Sequence, residues 1–496
     1  MALTLMSAFF IGCCHNAFPQ IQQAWVARYN NGMNNGTNQA IKMALDSSGN
    51  IYVTGSSQNA NSNLGYVTIK YAPNGVQQWA ARYDSTNCPS ATPTALALDS
   101  SNNAFVTGNA VTVKYDANGN QLWTATGGSA LAVDSGGNVV VTGTSTNFGT
   151  VKLSGTGSNL WSASYPSPGG PGAGETVVID SNNSCYVSGT NFYTIFLDGN
   201  ETLYFIEVLT IKYGSNGNQL WTAANSGANG GYFGNVTVEA AALDGANNLY
   251  IMFNNSPHQG EYLTLKYANN GSLLWTAYDP TDDSFSRARA LALDTAGCAV
   301  VTGQNSYYYP NASYGTYKLN TNGAYLWTNL YPSNVVGSSV ATAIATDRSN
   351  NSFVTGYSPG TNSGNDIVTI KYDPNGNQVW LQRYNGLGNG NDAGNAIAVD
   401  NNGNVYVTGY ETLPGGGTGI VTIKYSPVTT LQRRSDGAVI LQAQGEPGES
   451  FDVQASADLQ SWLDLGDMTA DTNGVAQFTD TNAPNYPARF YLTSPQ

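Results

Sequence analysis

Histidine is almost absent from this chain of 496 residues, which contains only His15 and His258. A metal site built from several imidazoles is therefore excluded. A Ser-His-Asp catalytic triad would have to use His258, which stands alone between Pro257 and Gln259. We expect His258 to be a surface residue of a loop.

Charged residues are also scarce, at 10% of the chain compared with ~25% in ordinary globular domains. The formal net charge is −14. An acidic surface repels phosphate groups, so nucleic acid and an anionic membrane surface are disfavoured as partners. Hydrophobic residues make up 41% of the chain, which is enough for a packed core, so we do not expect disorder.

The sequence offers neither a disulfide framework nor a membrane span. Five cysteines are present, and we expect them to be small buried side chains or incidental thiols. No run of ~20 apolar residues occurs after the N-terminal segment, so no membrane span is predicted.

The N-terminal segment, residues 1–20, resembles an export signal because Ala2–Cys14 is largely apolar. It lacks the basic start of such signals, and Phe10–Cys13 partly resembles a lipoprotein cleavage box, so lipidation is an alternative. We therefore expect a secreted or cell-surface location.

One segment, Val368–Trp380, recurs along most of the chain. Val368, Ile370 and Tyr372 alternate as in a β-strand, and Pro-Asn-Gly supplies a tight turn before a second strand that ends in Trp380. The copies are Val67–Trp79, Val111–Trp123, Thr150–Trp161, Leu209–Trp221, Leu263–Trp275 and Thr316–Trp327. An eighth start, Val421–Tyr425, has no tryptophan after it. Each copy carries one lysine, and Lys42 is the only lysine elsewhere.

A second repeated segment, Ala396–Gly409, also predicts strand, turn and strand. Its aspartate, Asp400, recurs at a mean spacing of about 51 residues, which is typical of propeller blades. Each unit thus holds four strands, which we call a, b, c and d. The sequence predicts an all-β fold with about eight propeller blades over residues 21–427. Gln22–Tyr29 matches strand d, so we expect it to complete the last blade and close the ring.

The motif Asp-x-x-Gly-Asn-x-Tyr-Val-Thr-Gly, seen at Asp400–Gly409, resembles the exported bacterial β-propeller repeat known as SBBP. The four-strand layout is similar to NHL-type propellers. The resemblance covers about residues 21–427 and implies a propeller, export and a binding role. No single reaction is assigned to that family. Residues 428–496 differ in character and predict about five short strands of a β-sandwich, similar to a tail module of exported bacterial proteins. Surface attachment and sugar binding are the two roles open for this tail.

The a–b and c–d turns are short and regular, whereas the b–c and d–a loops vary and should share the other face of the ring. Variable loops on a rigid scaffold are typical binding sites. Gly189–Val208 is the most aromatic of these loops and predicts a lid or an extra hairpin. We expect ligand contact at Tyr193, Tyr307, Tyr308, Tyr309, Tyr314, Asp282 and Asp283. The alternative is that these tyrosines pack on a neighbouring blade.

The repeated aspartates predict caps for their own turns, and we expect the repeated lysines to pair with them. We predict no dedicated metal site and no cofactor, although calcium binding by an Asn- and Asp-rich loop such as Asn389–Asn395 stays open. The favoured function is a monomeric secreted or surface binding protein, or scaffold, for a glycan or protein partner. The alternatives are a carbohydrate-active enzyme using paired carboxylates and a purely structural surface module. Candidate carboxylates for the enzyme are Glu201, Asp282, Asp283, Asp366 and Asp392.

Overall fold

The computed structural model describes residues 21–33, 35–145, 147–167, 172–196, 202–226, 235–256, 261–280, 286–308, 311–332, 336–427, 429–444, 448, 450–458, 460–471, 475–486 and 489–495. The chain divides into two compact units, of which the larger spans Gln23–Ser426 and the smaller contains Pro427–Gln496. Among the described residues, no helix has the length and apolar character needed to cross a membrane.

The described residues of the larger unit form eight four-stranded sheets, numbered here as blades 1 to 8. Blades 1 to 4 contain β2 (Asn38–Leu45), β3 (Ile51–Gln58), β4 (Leu64–Tyr71), β5 (Gln77–Tyr83); β6 (Pro93–Leu98), β7 (Ala104–Gly108), β8 (Val111–Tyr115), β9 (Gln121–Thr126); β10 (Ala130–Val133), β11 (Val139–Thr142), β12 (Thr150–Leu153), β13 (Asn159–Ala163); and β14 (Ala173–Ile179), β15 (Cys185–Phe196), β16 (Thr202–Tyr213), β17 (Gln219–Asn225).

Blades 5 to 8 contain β18 (Asn235–Leu243), β19 (Leu249–Ser256), β20 (Glu261–Tyr267), β21 (Leu273–Tyr278); β22 (Arg287–Leu293), β23 (Ala299–Tyr308), β24 (Asn311–Leu319), β25 (Tyr325–Tyr331); β26 (Val340–Thr346), β27 (Ser352–Pro359), β28 (Asn365–Tyr372), β29 (Gln378–Tyr384); and β30 (Ala393–Val399), β31 (Val405–Thr412), β32 (Thr418–Pro427) with β1 (Ile21–Tyr29). The predicted all-β propeller is confirmed.

The first strand of each blade lies nearest the axis, because these strands contact one another in order around the ring. Strand β2 contacts both β6 of blade 2 and β30 of blade 8, so the ring is closed. Strand β1 lies beside β32 as the outermost strand of blade 8. The prediction that an N-terminal strand completes the last blade is therefore confirmed.

The two middle strands of each blade are buried on both faces, because a neighbouring blade packs on either side. In β28, Val368 and Ile370 are fully buried, and so is Thr369 on the opposite face. Thr369 lies opposite Thr355 of β27, with their hydroxyls 3.2 Å apart. Such a hydroxyl pair lets a polar residue enter the core with its hydrogen bond satisfied.

Neighbouring blades are joined by the repeated tryptophan of strand d. Seven of the eight indole N–H groups donate to a carbonyl in the c–d turn of the next blade at 2.9–3.1 Å. The pairs are Trp25–Pro73, Trp79–Ala117, Trp123–Gly155, Trp161–Ser215, Trp221–Asn269, Trp275–Thr321 and Trp327–Pro374. A glycine of the same turn, such as Gly119 with φ +87°, lies against the indole, where a side chain would collide with it. Each tryptophan therefore anchors one blade to the next.

The repeated aspartates cap their own turns, as predicted. In blade 1 the Asp46 Oδ1 atom accepts hydrogen bonds from the N–H groups of Ser48 and Asn50, each at 2.9 Å. The predicted pairing with the repeated lysine is confirmed in five blades, with N–O distances of 2.7–3.4 Å. These pairs are Lys114–Asp99, Lys152–Asp134, Lys212–Asp180, Lys266–Asp244 and Lys318–Asp294.

The smaller unit contains two three-stranded sheets and a short 3-10 helix, Ala483–Asn485. One sheet has the order β33 (Thr429–Arg433), β34 (Val439–Gln444), β37 (Val475–Asp480), and the other has β36 (Leu463–Thr469), β35 (Ser450–Ser456), β38 (Phe490–Pro495). Leu441, Phe451 and Met468 share one buried cluster, which gives a small β-sandwich. It has six described strands instead of the predicted five, because Thr429–Arg433 also forms a strand.

Candidate functional site

The Gly189–Val208 loop forms the extra hairpin that its sequence predicts. Strands β15 and β16 pair without a break from Cys185–Tyr213 to Phe196–Thr202. Pairing with the flanking strands β14 and β17 ends at Thr190 of β15 and Val208 of β16, so six further pairs of the hairpin extend beyond the sheet. Tyr193 lies in this extension, opposite Phe205. The blade 4 hairpin is therefore the longest b–c connection described.

The blade 6 hairpin carries the second aromatic group. Tyr307 and Tyr308 lie near the end of β23, and Tyr308 pairs with Asn311 at the tip. Both hairpins are b–c connections and so lie on the same, variable-loop face of the ring. Tyr309, Asp282, Asp283, Glu201 and His258 lie outside the described residues.

Tyr314 is not available to a ligand, and the expectation that it is exposed is wrong. Its side chain is 0% exposed, and its hydroxyl donates to the Val368 carbonyl of blade 7 at 3.2 Å. Its ring also meets that of Tyr331 edge-on, with centroids 5.5 Å apart. The cause is the length of β24, which carries Tyr314 into the blade and turns its side chain toward the neighbouring blade. The alternative interpretation, packing on a neighbour, applies here.

Two of the candidate carboxylates, Asp366 and Asp392, are buried parts of the loop structure. Asp366 forms an ion pair with Arg383 at 2.8 Å. Asp392 accepts backbone hydrogen bonds from Gly386 and Thr412, so both of its oxygens hold the Asn389–Asn395 loop in place. Among the residues that the structure describes, no group of three or more His, Cys, Asp and Glu side chains could hold a metal ion.

The axial channel contains charged residues that the sequence analysis did not select. Most of the innermost strands have a β-bulge, and the extra residue is Glu175 in blade 4, Glu239 in blade 5 and Arg289 in blade 6. A bulge breaks the alternation of side chains and re-aims one of them. Periodicity alone therefore could not have predicted which side chains face the axis.

The two bulge carboxylates are held in place by neutral donors from neighbouring strands. Glu175 accepts hydrogen bonds from the Thr190 hydroxyl at 2.9 Å and from the backbone N–H of Val238. Val238 precedes Glu239 in the next blade. Glu239 accepts hydrogen bonds from the Thr237 hydroxyl at 3.0 Å and the Asn254 amide at 2.9 Å. Two oriented carboxylates therefore lie side by side on the channel wall.

Lys42 lies on β2 of blade 1, where the repeat has a small residue in every other blade. The equivalent residues are Ala95, Ala130, Thr176, Ala240, Ala290, Ala343 and Ala396. Desolvation by the surrounding protein lowers the pKa of Lys42, while Glu239 raises it through its charge. The sequence alone distinguishes this residue, because Lys42 is the one lysine outside the repeated position.

Glu175 should make the stability of the ring depend on pH. Burial, assisted by the charge of Glu239, raises the pKa of Glu175 from 4.5 to about 7, against hydrogen bonds from Val238 and Thr190 that lower it. Folding thus favours the protonated form. Its contribution is complete below about pH 4.5 and is lost as the pH rises through about 7.

We expect the wild type to lose about 2 kcal/mol more stability than Glu175→Gln between about pH 5 and pH 8. Urea unfolding at several pH values measures the difference. Asp392→Asn provides the comparison. Burial raises the pKa of Asp392 from 3.8 to about 6, so the loss of stability that it causes occurs at a lower pH than the loss caused by Glu175. Parallel curves for the wild type and Glu175→Gln would contradict the assignment.

Eight four-stranded sheets around an axis, joined by the tryptophan contacts, define the protein as a β-propeller of repeated blades. Residues 28–61 and 379–410 match the family model of the SBBP beta-propeller repeat. The resemblance inferred from Asp400–Gly409 is thereby confirmed. No curated protein matches the chain.

Several solved structures are similar to the chain at low sequence identity. A virginiamycin B lyase from Staphylococcus aureus is 11% identical, with 80% of this chain and 99% of that chain covered and a TM-score of 0.40. A protein of unknown function from Dyadobacter fermentans is 10% identical over 83% and 100%, with a TM-score of 0.41. A polysaccharide lyase, an ulvan lyase, is 12% identical over 80% and 95%, with a TM-score of 0.39.

Proposed function

We propose that this propeller is a secreted or cell-surface binding protein that recognises a glycan or protein partner through its variable-loop face. The observation that carries the proposal is the blade 4 hairpin, which extends six residue pairs beyond the strands that flank it. A hairpin without flanking strands contributes little to the blade core, so its length calls for another role.

The sequence of the two projecting hairpins fits contact with a partner. Phe192, Tyr193 and Phe196 lie on one strand of the blade 4 hairpin, and Tyr307 and Tyr308 lie near the tip of the blade 6 hairpin. Aromatic rings contribute large contact areas with little loss of side-chain entropy, and tyrosine adds a hydroxyl for hydrogen bonding. The opposite face consists of uniform turns capped by their own aspartates, as at Asp46.

A glycan and polysaccharide binding screen of residues 21–496 tests the proposal. In the variant, Asn191–Glu207 is replaced by Asn-Gly, a two-residue turn suited to join the paired residues Thr190 and Val208. We expect this variant to lose binding and keep its melting temperature. A second variant that ends at residue 427 serves as the control and should bind normally. Binding that survives hairpin removal, or is lost with the tail, would contradict the proposal.

A carbohydrate-active enzyme is the second candidate, favoured by the neighbouring carboxylates Glu175 and Glu239. A glycosidase pairs one protonated and one ionised carboxyl group, and burial raises the pKa of Glu175 to about 7. Sugar release from the polysaccharides of the same screen, abolished by Glu175→Gln, would favour this function. Binding without product formation would favour the binding protein.

A further inference from the structure

The repeated lysine of blade 4, Lys212, has a different partner from its equivalents in other blades. In five blades this lysine donates to a backbone carbonyl in the c–d turn of the next blade, at 3.0–3.5 Å. Lys212 instead donates to the side-chain carbonyl oxygen of Asn269, in the c–d turn of blade 5. Asn269 is the one amide in this series, since the equivalent turn positions hold Pro73, Ala117, Gly155, Ser215, Thr321 and Pro374.

The carboxylate beside Lys212 also differs from its equivalents. In six blades, the Oδ2 atom of the repeated aspartate accepts a hydrogen bond from the side-chain amide of an asparagine four residues later. Blade 4 has Ser184 at that position, and its backbone N–H donates to the other oxygen, Oδ1, of Asp180. The Oδ2 atom of Asp180 therefore faces the Lys212 ammonium group, at 3.2 Å, without competition from an amide.

Tyr186 links the amine to the amide. Its hydroxyl accepts a hydrogen bond from Lys212 Nζ at 2.6 Å and donates to Asn269 Oδ1 at 2.8 Å. Tyr186 is fully buried, and Lys212 and Asp180 are 6% and 5% exposed. Asn269 belongs to an exposed turn, which Trp221 holds in place by donating to the Asn269 backbone carbonyl at 2.9 Å. An amine, a carboxylate and an amide thus meet in a site that opens to solvent on the Asn269 side.

We propose that Lys212 and Asn269 form an intramolecular isopeptide bond, a covalent link between blades 4 and 5. Asp180 takes a proton from the Lys212 ammonium group, and the neutral amine attacks the side-chain amide carbon of Asn269. The Tyr186 hydroxyl stabilises the negative charge that develops on Asn269 Oδ1. Because the folded chain holds both groups together, the reaction is unimolecular.

The reaction balances without an added reagent. The bond between Lys212 Nζ and the Asn269 amide carbon forms, and the bond from that carbon to the original amide nitrogen breaks. Lys212 loses two protons in all, and Asp180 relays both to the departing nitrogen. The products are the isopeptide and one ammonium ion, which leaves through the exposed turn, and the Asp180 carboxylate is restored.

Tryptic peptide mapping of the folded full chain by mass spectrometry tests the proposal. Trypsin cuts after lysine, but it does not cut after a lysine whose side chain is part of an amide. We expect residues 153–266 to remain uncut at Lys212 and to be joined to residues 267–287. The mass of the joined species should be one ammonia molecule below the sum of its two parts. A free, unmodified peptide that ends at Lys212 in place of this species would overturn the proposal.

Asn269→Ser is the decisive variant, because blade 4 has a serine, Ser215, at the equivalent turn position and folding should be retained. We expect it to abolish the joined species. Lys266→Arg is the matched control, because Lys266 donates to the backbone carbonyl of Thr321 and the link should form as in the wild type. A loss of ammonia without joined peptides, or one that persists in Asn269→Ser, would mean cyclisation at an Asn-Gly turn and would overturn the proposal.

Two further variants test the assigned roles. Asp180→Asn removes the proton relay but keeps an oxygen that can cap the same turn, so we expect a folded chain without the link. Tyr186→Phe removes the hydroxyl, and phenylalanine is what blades 2 and 7 have there, at Phe105 and Phe353. We expect Tyr186→Phe to slow formation of the link about 100-fold, measured by sampling the chain over time after cell-free synthesis. A wild-type rate in either variant would overturn the mechanism.

Discussion

Deletion of residues 21–30 is expected to abolish the cooperative unfolding transition of the ring. Strand β1 forms the outermost strand of blade 8, and its Trp25 donates to the Pro73 carbonyl of blade 1. Without β1, strand β32 becomes an exposed edge and blade 8 loses its anchor to blade 1. Differential scanning calorimetry of residues 31–496 against residues 21–496 measures the effect.

A synthetic peptide of residues 21–30 provides the control for this deletion. If the missing strand is the cause, the peptide should pair with β32 in trans and restore the transition. An unchanged melting transition for residues 31–496 would show that the ring does not depend on its N-terminal strand.

The second expected result is a loss of about 3 kcal/mol of stability in Arg28→Ala. Arg28 of β1 contacts Glu411 of β31 at 2.7 Å, and the Glu411 side chain is 0% exposed. Tyr384 of blade 7 donates to the same carboxylate at 2.6 Å. Removal of the arginine leaves a buried carboxylate with a neutral donor alone, which costs more than the ion pair itself contributes. Urea unfolding gives the difference.

Arg82→Ala is the matched control, since Arg82 has the same position in strand d of blade 1. Its ion-pair partner Asp84 is 45% exposed, so solvent screens the pair. Arg82 also donates to the hydroxyl and carbonyl of Ser57, so we expect a loss of about 1 kcal/mol, mostly from these hydrogen bonds. Adding Glu411→Gln to Arg28→Ala should recover part of the loss, because a neutral amide replaces the buried charge. Equal losses for the two arginine variants would contradict this explanation.

The repeat explains why so much of the fold could be predicted. The spacing of Asp400 and its equivalents indicates the blades, and the match of Gln22–Tyr29 to strand d indicates how the ring closes. The positions of individual side chains were harder to predict. Tyr314 belongs to an aromatic group in the sequence, yet whether it faces solvent depends on how far β24 continues. That length is set by pairing with β23, which no local pattern reveals.

The glycine in the Val-Thr-Gly ending of strand b is visible in the sequence, but only the structure shows why a glycine is needed there. Gly409 lies opposite the bulge of β30, and a Cβ atom there would collide with the Ala393 carbonyl oxygen. The glycine thus accommodates the close approach that the bulge creates. Gly189, the equivalent residue of blade 4, lies opposite Gly174, next to the bulge that contains Glu175.

The tryptophan contacts all run in one rotational direction, from each blade to the one that follows. Such head-to-tail contacts leave blades 1 to 6 with the same donor on one side and the same acceptor on the other. When one blade is added or removed, the blades that become neighbours can therefore form the same contact. The number of blades could change in evolution without a new type of interface. The exception is Trp380, because blade 8 has no c–d turn to receive its N–H group, although its ring packs against Tyr425 as Trp79 packs against Tyr115. This seam differs from the other interfaces because the chain enters the ring at β1 and leaves it after β32, so a blade inserted or lost there would also have to preserve the pairing of these two strands.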